Sequence, residues 1–273
     1  MAPAGDKLHG QARREAFFEN AAPRSPGAAP SSAMTVTVHG AKGGVGTTML
    51  AAEMIREFAA AGRSVAAVDA DLDRGSLHYR LDTPVGRGTF TIADVASVID
   101  EISAERIASA LAGCESGARL LPSPSDPCDR PSLGSAHARK LVDALSAAFD
   151  YTVVDTSASQ DLFITGLLSA SDVVVLVVTP ELACLGGARR ALAVFDSLPG
   201  GRPRTELVVN RAAVARDLVT LRDIETFLGV KAAAVLPEDA ARCRRLGDEC
   251  RPLASERSPL AQAALAFIRG LLS

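Results

Sequence analysis

The stretch GAKGGVGTT, residues 40–48, decides how this chain folds. It lies between a β-branched run, Val36–Val38, and a stretch with helical periodicity, Met49–Ala61. A glycine-rich loop between a strand and a helix is the context in which backbone N–H groups cradle phosphate, helped by the partial positive charge of the helix N-terminus. The glycines that let several N–H groups face one hollow are Gly43, Gly44 and Gly46. The stretch therefore predicts a phosphate-binding loop.

Two positions depart from the usual pattern G-x-x-x-x-G-K-[ST]. Ala41 stands at the first glycine and Thr47 at the lysine, whereas Thr48 keeps the hydroxyl that ligates Mg²⁺. A hydrogen bond to a charged group contributes roughly 1.5–3 kcal/mol. Without the lysine we expect nucleotide binding weaker by about one to two powers of ten, and hydrolysis slowed further. The alternative interpretation is a tight turn that binds no ligand.

Apolar runs recur along the chain, with helix-like stretches between most of them. This pattern predicts an α/β fold with a mainly parallel sheet and helices on both faces, forming one P-loop NTPase domain over residues 34–273. Residues 1–33, with four prolines, are expected to be a disordered tail or linker. The seven runs are TVTVHG (35–40), SVAAVDAD (64–71), ARLLPSP (118–124), YTVVDTS (151–157), DVVVLVVTP (172–180), TELVVNR (205–211) and KAAAVLP (231–237).

The composition is that of an ordinary globular protein, with 48% hydrophobic residues, 22% charged residues and a net charge of −3. That balance offers no bulk positive field for nucleic acid. The five cysteines form no CxxC pair, which indicates reduced thiols and a cytoplasmic location. The apolar C-terminal stretch SPLAQAALAFIRGLLS (258–273) has one basic residue, so we expect a helix docked on the body rather than a membrane anchor.

Acidic side chains follow two of the predicted strands. Asp69 and Asp71 come at the end of the second run, and Asp155 ends the run YTVVD. Carboxylates at the ends of strands beside a phosphate loop can hold Mg²⁺ and orient an attacking water. The alternative for Asp69 and Asp71 is a solvated cluster that forms a turn.

The loop KGGVGTT, residues 42–48, resembles the deviant Walker A loop of the MinD/ParA family, which carries a signature lysine early in the loop. Lys42 matches that lysine. The resemblance implies ATP and Mg²⁺ as cofactors and a nucleotide-dependent homodimer, in which Lys42 reaches the partner's phosphates. By position, Asp71 matches the water-positioning aspartate and Asp69 a partner on the Mg²⁺ side, so Lys42 and Asp71 are the catalytic candidates.

Further site residues are implied by the same resemblance. In the family, residues at the ends of two later strands contact the base, although Asn210 could instead be a strand-end turn residue. The implied cofactor-binding residues are Gly43, Gly44, Val45, Gly46, Thr47, Thr48, Asn210, Arg211 and Pro237, and the implied metal ligands are Thr48, Asp69 and Asp155.

Thr47 and several flanking segments are similar to one branch of the family, the CpaE/TadZ proteins of Flp (tight-adherence) pilus assembly. This implies a slowly hydrolysing localisation or assembly factor, with pilus or secretion machinery as partners, no specific nucleic acid and at most peripheral membrane association. It would be recruited to the inner face of the membrane or to a cell pole. The alternatives are an active ParA/MinD-type ATPase in division-site selection or partition, and a pseudo-ATPase scaffold.

Overall fold

The computed structural model describes residues 33–86, 88–124, 126, 132–213 and 218–272. The predicted tail, residues 1–33, lies outside these ranges apart from its last residue, so its disorder stays a prediction. Four of the five cysteines fall inside them and are free thiols, as the composition suggested: Cys114, Cys184, Cys243 and Cys250.

Within the described ranges, eight strands form one sheet in the order β3-β4-β2-β5-β1-β6-β7-β8. Every neighbouring pair is parallel except β3 and β4. The seven predicted runs are confirmed as strands, and the sequence missed β3 because it has only two residues. The strands are β1 (Met34–Gly40), β2 (Val65–Asp69), β3 (Ala112–Gly113), β4 (Arg119–Leu121), β5 (Tyr151–Asp155), β6 (Val173–Val178), β7 (Arg204–Ala212) and β8 (Ala232–Pro237).

The helices connect these parallel strands. The first begins at Thr47, two residues before the predicted start at Met49, because Gly46 is its N-cap. The helices are α1 (Thr47–Ala60), α2 (Leu77–Arg80), α3 (Ile92–Ser97), α4 (Ala104–Ala110), α5 (Ser135–Ser146), α6 (Leu162–Ser169), α7 (Leu182–Asp196), α8 (Leu221–Leu228), α9 (Ala240–Asp248) and α10 (Pro259–Gly270), with a 3₁₀ turn at Leu253–Ser255.

The core lies on both sides of the central strands. All six residues of β6 are buried, and since successive side chains of a strand point to opposite faces, both faces of the sheet are covered. Helix α10 buries Leu260, Ala264 and Ile268 and packs on β8 and α1. The C-terminal stretch is therefore a docked helix, as its composition predicts.

Helix α7 packs directly on the start of the glycine loop. Ala41 N–H donates to the Val177 carbonyl of β6 at 3.1 Å. The Ala41 carbonyl faces α7 at Gly187, where an added Cβ would lie 2.1 Å from the oxygen. Only a glycine at 187 allows this approach, so α7 sets where the loop leaves the sheet.

Two adjacent glycines of α7 give a matched test of this contact. At Gly186 the nearest atom to an added Cβ is Arg190 Nη1, at 3.9 Å. Gly186→Ala is therefore expected to raise the free energy of unfolding by up to about 1 kcal/mol, through helix propensity alone. Gly187→Ala should lower it by about 1–3 kcal/mol, because the methyl group displaces the loop. Urea unfolding followed by circular dichroism measures both, and equal effects would show that the close approach does not constrain the loop.

Candidate functional site

The glycine loop, residues 41–46, turns sharply between β1 and α1. Gly44 and Gly46 have φ angles of 79° and 104°, in the left-handed region that favours glycine. An added Cβ at Gly46 would lie 2.4 Å from Asn210 Nδ2, so a side chain there is excluded by contact as well. Thr47 and Thr48 form the first turn of α1, where backbone N–H groups have no partner within the helix.

The end of β7 holds this loop from the side. The register between β7 and β8 shifts between Val209 and Ala212, so β7 bulges at Asn210 and Arg211. Asn210 Nδ2 donates to the Val45 carbonyl at 2.7 Å, and an Arg211 Nη2 donates to the Gly44 carbonyl at 2.6 Å. In a trans peptide the C=O and N–H point in opposite directions. The N–H groups of Val45 and Gly46 are therefore turned away from β7.

Two adjoining cavities open beside the loop. One, of about 640 Å³, is lined by the loop together with Thr47, Thr48, Lys42 and Asp71. The other, of about 390 Å³, is lined by residues that include Asn210, Pro237 and Cys243. The residues common to both are Gly46, Met49, Arg80 and Arg211. The candidates for phosphate contact and those for base contact thus line one continuous depression.

Two buried aspartates lie behind the phosphate cavity. Asp69 and Asp155 end the adjacent strands β2 and β5, directly opposite each other in register. They are 0% and 2% exposed, and Oδ1 of each has no hydrogen-bond partner. Burial raises the pKa of Asp69 to about 7. Burial and the neighbouring Asp69 raise the pKa of Asp155 well above its ordinary value, and a hydrogen bond with Thr48 opposes that shift.

This arrangement fits a magnesium ion. Thr48 and Asp155 are in contact, which brings together one hydroxyl and one carboxylate, and the Oδ1 atoms without partners are ones that a cation would satisfy. In the described part of the chain, no three His, Cys, Asp or Glu side chains form a metal cluster of their own. Mg²⁺ does not require one, because it is commonly held by one or two carboxylates, water and nucleotide phosphates.

The two predicted aspartates of the second run differ in position. Asp69 Oδ2 accepts from Leu77 N–H at 2.9 Å, so that oxygen anchors the start of α2. Asp71 lines the phosphate cavity, and its Oδ1 accepts from the N–H groups of Asp73 and Arg74 at 3.2 and 3.0 Å. Asp71 therefore forms the turn that one interpretation expected, at the place that the other interpretation requires.

Lys42 is turned toward α7. Its Nζ lies 3.0 Å from Oε2 of Glu181, the N-cap residue of α7, and both side chains are about half exposed. This ion pair lowers the pKa of Glu181. Sequence reasoning missed Glu181, because a glutamate 139 residues away carries no pattern that links it to the loop.

A buried histidine was also missed. His39 is 1% exposed, and burial lowers its pKa to about 4. Its Nδ1 lies 2.9 Å from Thr156 Oγ1, which donates to the Val38 carbonyl at 3.0 Å. Because the hydroxyl gives its proton to Val38, His39 Nδ1 is the donor in the other bond. The neutral imidazole thus links the ends of β1 and β5 under the loop.

Comparison with known proteins agrees with this geometry. Residues 33–200 match a family model, AAA_31, described as AAA domain. The chain belongs to this family. Its relatives mark it as a P-loop protein of the MinD/ParA type. It is 26% identical over 217 residues to the septum site-determining protein MinD of Helicobacter pylori, covering 76% of this chain and 79% of that protein.

Solved structures show the same fold. A ParA family ATPase from Chlorobium tepidum superposes with a TM-score of 0.76 at 23% identity, over 88% of this chain and 99% of that one. The septum site-determining protein MinD from Pyrococcus horikoshii, complexed with Mg-ADP, gives 0.73 at 22% identity, over 88% and 96%. Among the helices that the structure describes, none is both long and apolar enough to cross a bilayer.

The pKa of His39 predicts a specific loss of stability in acid. Because folding lowers the pKa from 6.5 to about 4, protons bind the unfolded chain first as the pH falls between these values. The wild type should therefore lose up to about 3 kcal/mol relative to His39→Gln between pH 6.5 and 4, and nothing above pH 7. Urea unfolding of both proteins across this range measures the difference, in which the titrations of Asp69 and Asp155 cancel. A constant difference would show that His39 is not held neutral.

Proposed function

We propose that this protein binds ATP with Mg²⁺, dimerises around it and hydrolyses it slowly, as a switch that positions a cellular assembly. The observation that carries the proposal is the continuous depression around the loop, with Thr48 and Asp155 in contact behind its phosphate end. The Mg-ADP complex of the Pyrococcus MinD supports the cofactor assignment. In this proposal Thr48 and Asp155 hold the ion, which bridges the phosphates and neutralises their charge.

The chain's own groups divide the remaining work. The N–H groups of the loop and of the first turn of α1 bind the phosphates, with support from the helix dipole. Asp71, at the cavity wall, orients the attacking water. Thr47 places no cation in the loop, so charge that develops on the transferred phosphoryl group is poorly stabilised. Binding then survives better than turnover, and the nucleotide serves mainly as a clamp between two copies.

The cavity mouth has the character of a surface covered by a second copy. Leu182, 78% exposed, follows the Glu181 that pairs with Lys42. Leu162, 71% exposed, begins α6 three residues after Ser159, which lines the phosphate cavity. Large apolar side chains exposed around a polar cavity are typical of an interaction surface. Closure by a second copy would cover both leucines and bring Lys42 toward the partner's nucleotide.

Two cellular roles follow from the relatives and from the loop. The relatives named for septum-site determination favour division-site selection or partition. Thr47 favours the alternative role in a Flp-type pilus or secretion apparatus, since it is the feature that is similar to that branch. Both roles require the same nucleotide-dependent dimer, with recruitment of partner proteins and at most peripheral contact with a membrane.

Magnesium dependence tests the metal assignment. In the wild type, Mg²⁺ should raise ATP affinity at least tenfold, and in Asp155→Asn this difference should vanish because the carboxylate that holds the ion is gone. Isothermal titration with and without Mg²⁺ measures the effect. Asp150→Asn is the matched control, an aspartate before the other end of β5 that binds Ser64. An unchanged magnesium effect in Asp155→Asn would make Asp155 only a buried strand-end residue.

Dimerisation tests the role of Lys42. Lys42→Ala should reduce ATP-dependent dimer formation at least tenfold and leave the unfolding midpoint nearly unchanged, because an exposed ion pair contributes little to stability. Light scattering with and without ATP gives the mass. Lys140→Ala removes another exposed lysine, one paired with Asp100, and should dimerise like the wild type. If Lys42→Ala also does so, Lys42 does not act across the dimer.

A further inference from the structure

We propose that Arg211 supplies to the nucleotide phosphates the positive charge that Thr47 does not, and so acts as a phosphate-binding residue rather than a base-pocket residue. This rests on the proposed ATP binding and names the residue that makes it workable in a loop without its lysine. Arg211 lines both cavities, so its guanidinium stands where the base and phosphate regions meet.

The backbone at Arg211 is arranged for this placement. Its φ of 55° lies in the left-handed region, which a residue with a side chain seldom adopts. The β7 bulge falls at the same place, and bulges beside sites re-aim side chains. Arg211 N–H donates to the Oδ1 of Asn210 at 2.9 Å, which holds the unusual conformation. An outlier of this kind persists where its surroundings determine it, often at a binding site.

The side chain is fixed at the loop and keeps its charge available. An Arg211 Nη2 donates to the Gly44 carbonyl at 2.6 Å, and in the described ranges no carboxylate forms an ion pair with Arg211. Its charge also contributes, after that of Lys42, to the lowered pKa of Glu181, which places the guanidinium on the Lys42 side of the loop. A guanidinium has five N–H donors, so one bond to Gly44 leaves others for phosphate oxygens.

The other cations around the phosphate cavity are less suited. Lys42 is paired with Glu181 and has its proposed role across the dimer. Arg80 donates to the Cys243 carbonyl at 3.2 Å, and its guanidinium packs against Gly247, where an added Cβ would lie 2.2 Å from Nη1. Arg74 belongs to the exposed turn formed by Asp71. Arg211 alone among the four is hydrogen-bonded to the loop itself.

A double-mutant cycle between positions 47 and 211 tests the proposal. In the wild-type background, Arg211→Ala should weaken ATP binding about 10- to 100-fold. In a Thr47→Lys background the new lysine supplies the charge, so the same change should weaken binding less than about threefold. Titration calorimetry with Mg-ATP measures the four affinities. Arg222→Ala removes an exposed arginine of α8 and should bind ATP like the wild type.

The probe distinguishes phosphate contact from base contact. Inorganic tripolyphosphate has no base, so Arg211→Ala should weaken its binding by a similar factor, whereas binding of adenosine should change less than twofold. Arg211→Lys, which keeps the charge, should recover at least part of the affinity and guards against a folding defect in the alanine variant. Circular dichroism establishes that each variant is folded.

The outcomes separate the two proposals. If the wild type binds neither Mg-ATP nor tripolyphosphate, the proposed function is wrong, and this assignment with it. If it binds ATP but Arg211→Ala costs the same factor in both backgrounds, Arg211 acts by holding the loop and does not replace the lysine. If the alanine variant loses adenosine but keeps tripolyphosphate, Arg211 belongs to the base pocket. Each of the last two results overturns the assignment of Arg211 and leaves ATP binding in place.

Discussion

The outward direction of the loop carbonyls is the constraint on which the site depends. The Ala41 carbonyl meets Gly187 of α7, the Gly44 carbonyl accepts from Arg211, and the Val45 carbonyl accepts from Asn210. Each carbonyl turned outward turns the next N–H the opposite way, because the peptide unit is planar and trans. The phosphate hollow is therefore defined as much by the groups outside the loop as by its glycines.

The buried aspartates impose a second, electrostatic constraint. Two carboxylates at the ends of adjacent strands cannot both be charged without strong mutual repulsion in a poorly solvated place. Both have raised pKa values, and both keep one oxygen without a hydrogen-bond partner. A cation at Thr48 and Asp155 would relieve the repulsion and satisfy such an oxygen. The affinity for Mg²⁺ then comes partly from a protein interior that is unfavourable without it, and this links metal binding to the phosphate loop through α1.

What the sequence could predict follows from local patterns. Buried parallel strands are continuous apolar runs, so seven of eight strands were found, and the glycine spacing located the loop. The bulge in β7 was not predictable, because it arises from the contact of Asn210 and Arg211 with the loop about 165 residues earlier. The same holds for Glu181 and His39, whose partners are assembled only by the tertiary fold. Arg211 was assigned to the base by resemblance, whereas its contact with Gly44 directs it to the phosphates.

The departure at Thr47 becomes intelligible in these terms. A phosphate loop binds through two kinds of group: backbone N–H groups, whose direction the fold sets, and a lysine side chain, whose charge one codon sets. This chain keeps the first kind, with the outward carbonyls that Asn210 and Arg211 hold, and has lost the second. Backbone donors contribute to ground-state binding and transition state alike, whereas a lysine at the phosphates is most useful when charge develops there. Losing the lysine therefore separates binding from turnover. A site built in this way favours holding a nucleotide between two molecules over consuming it.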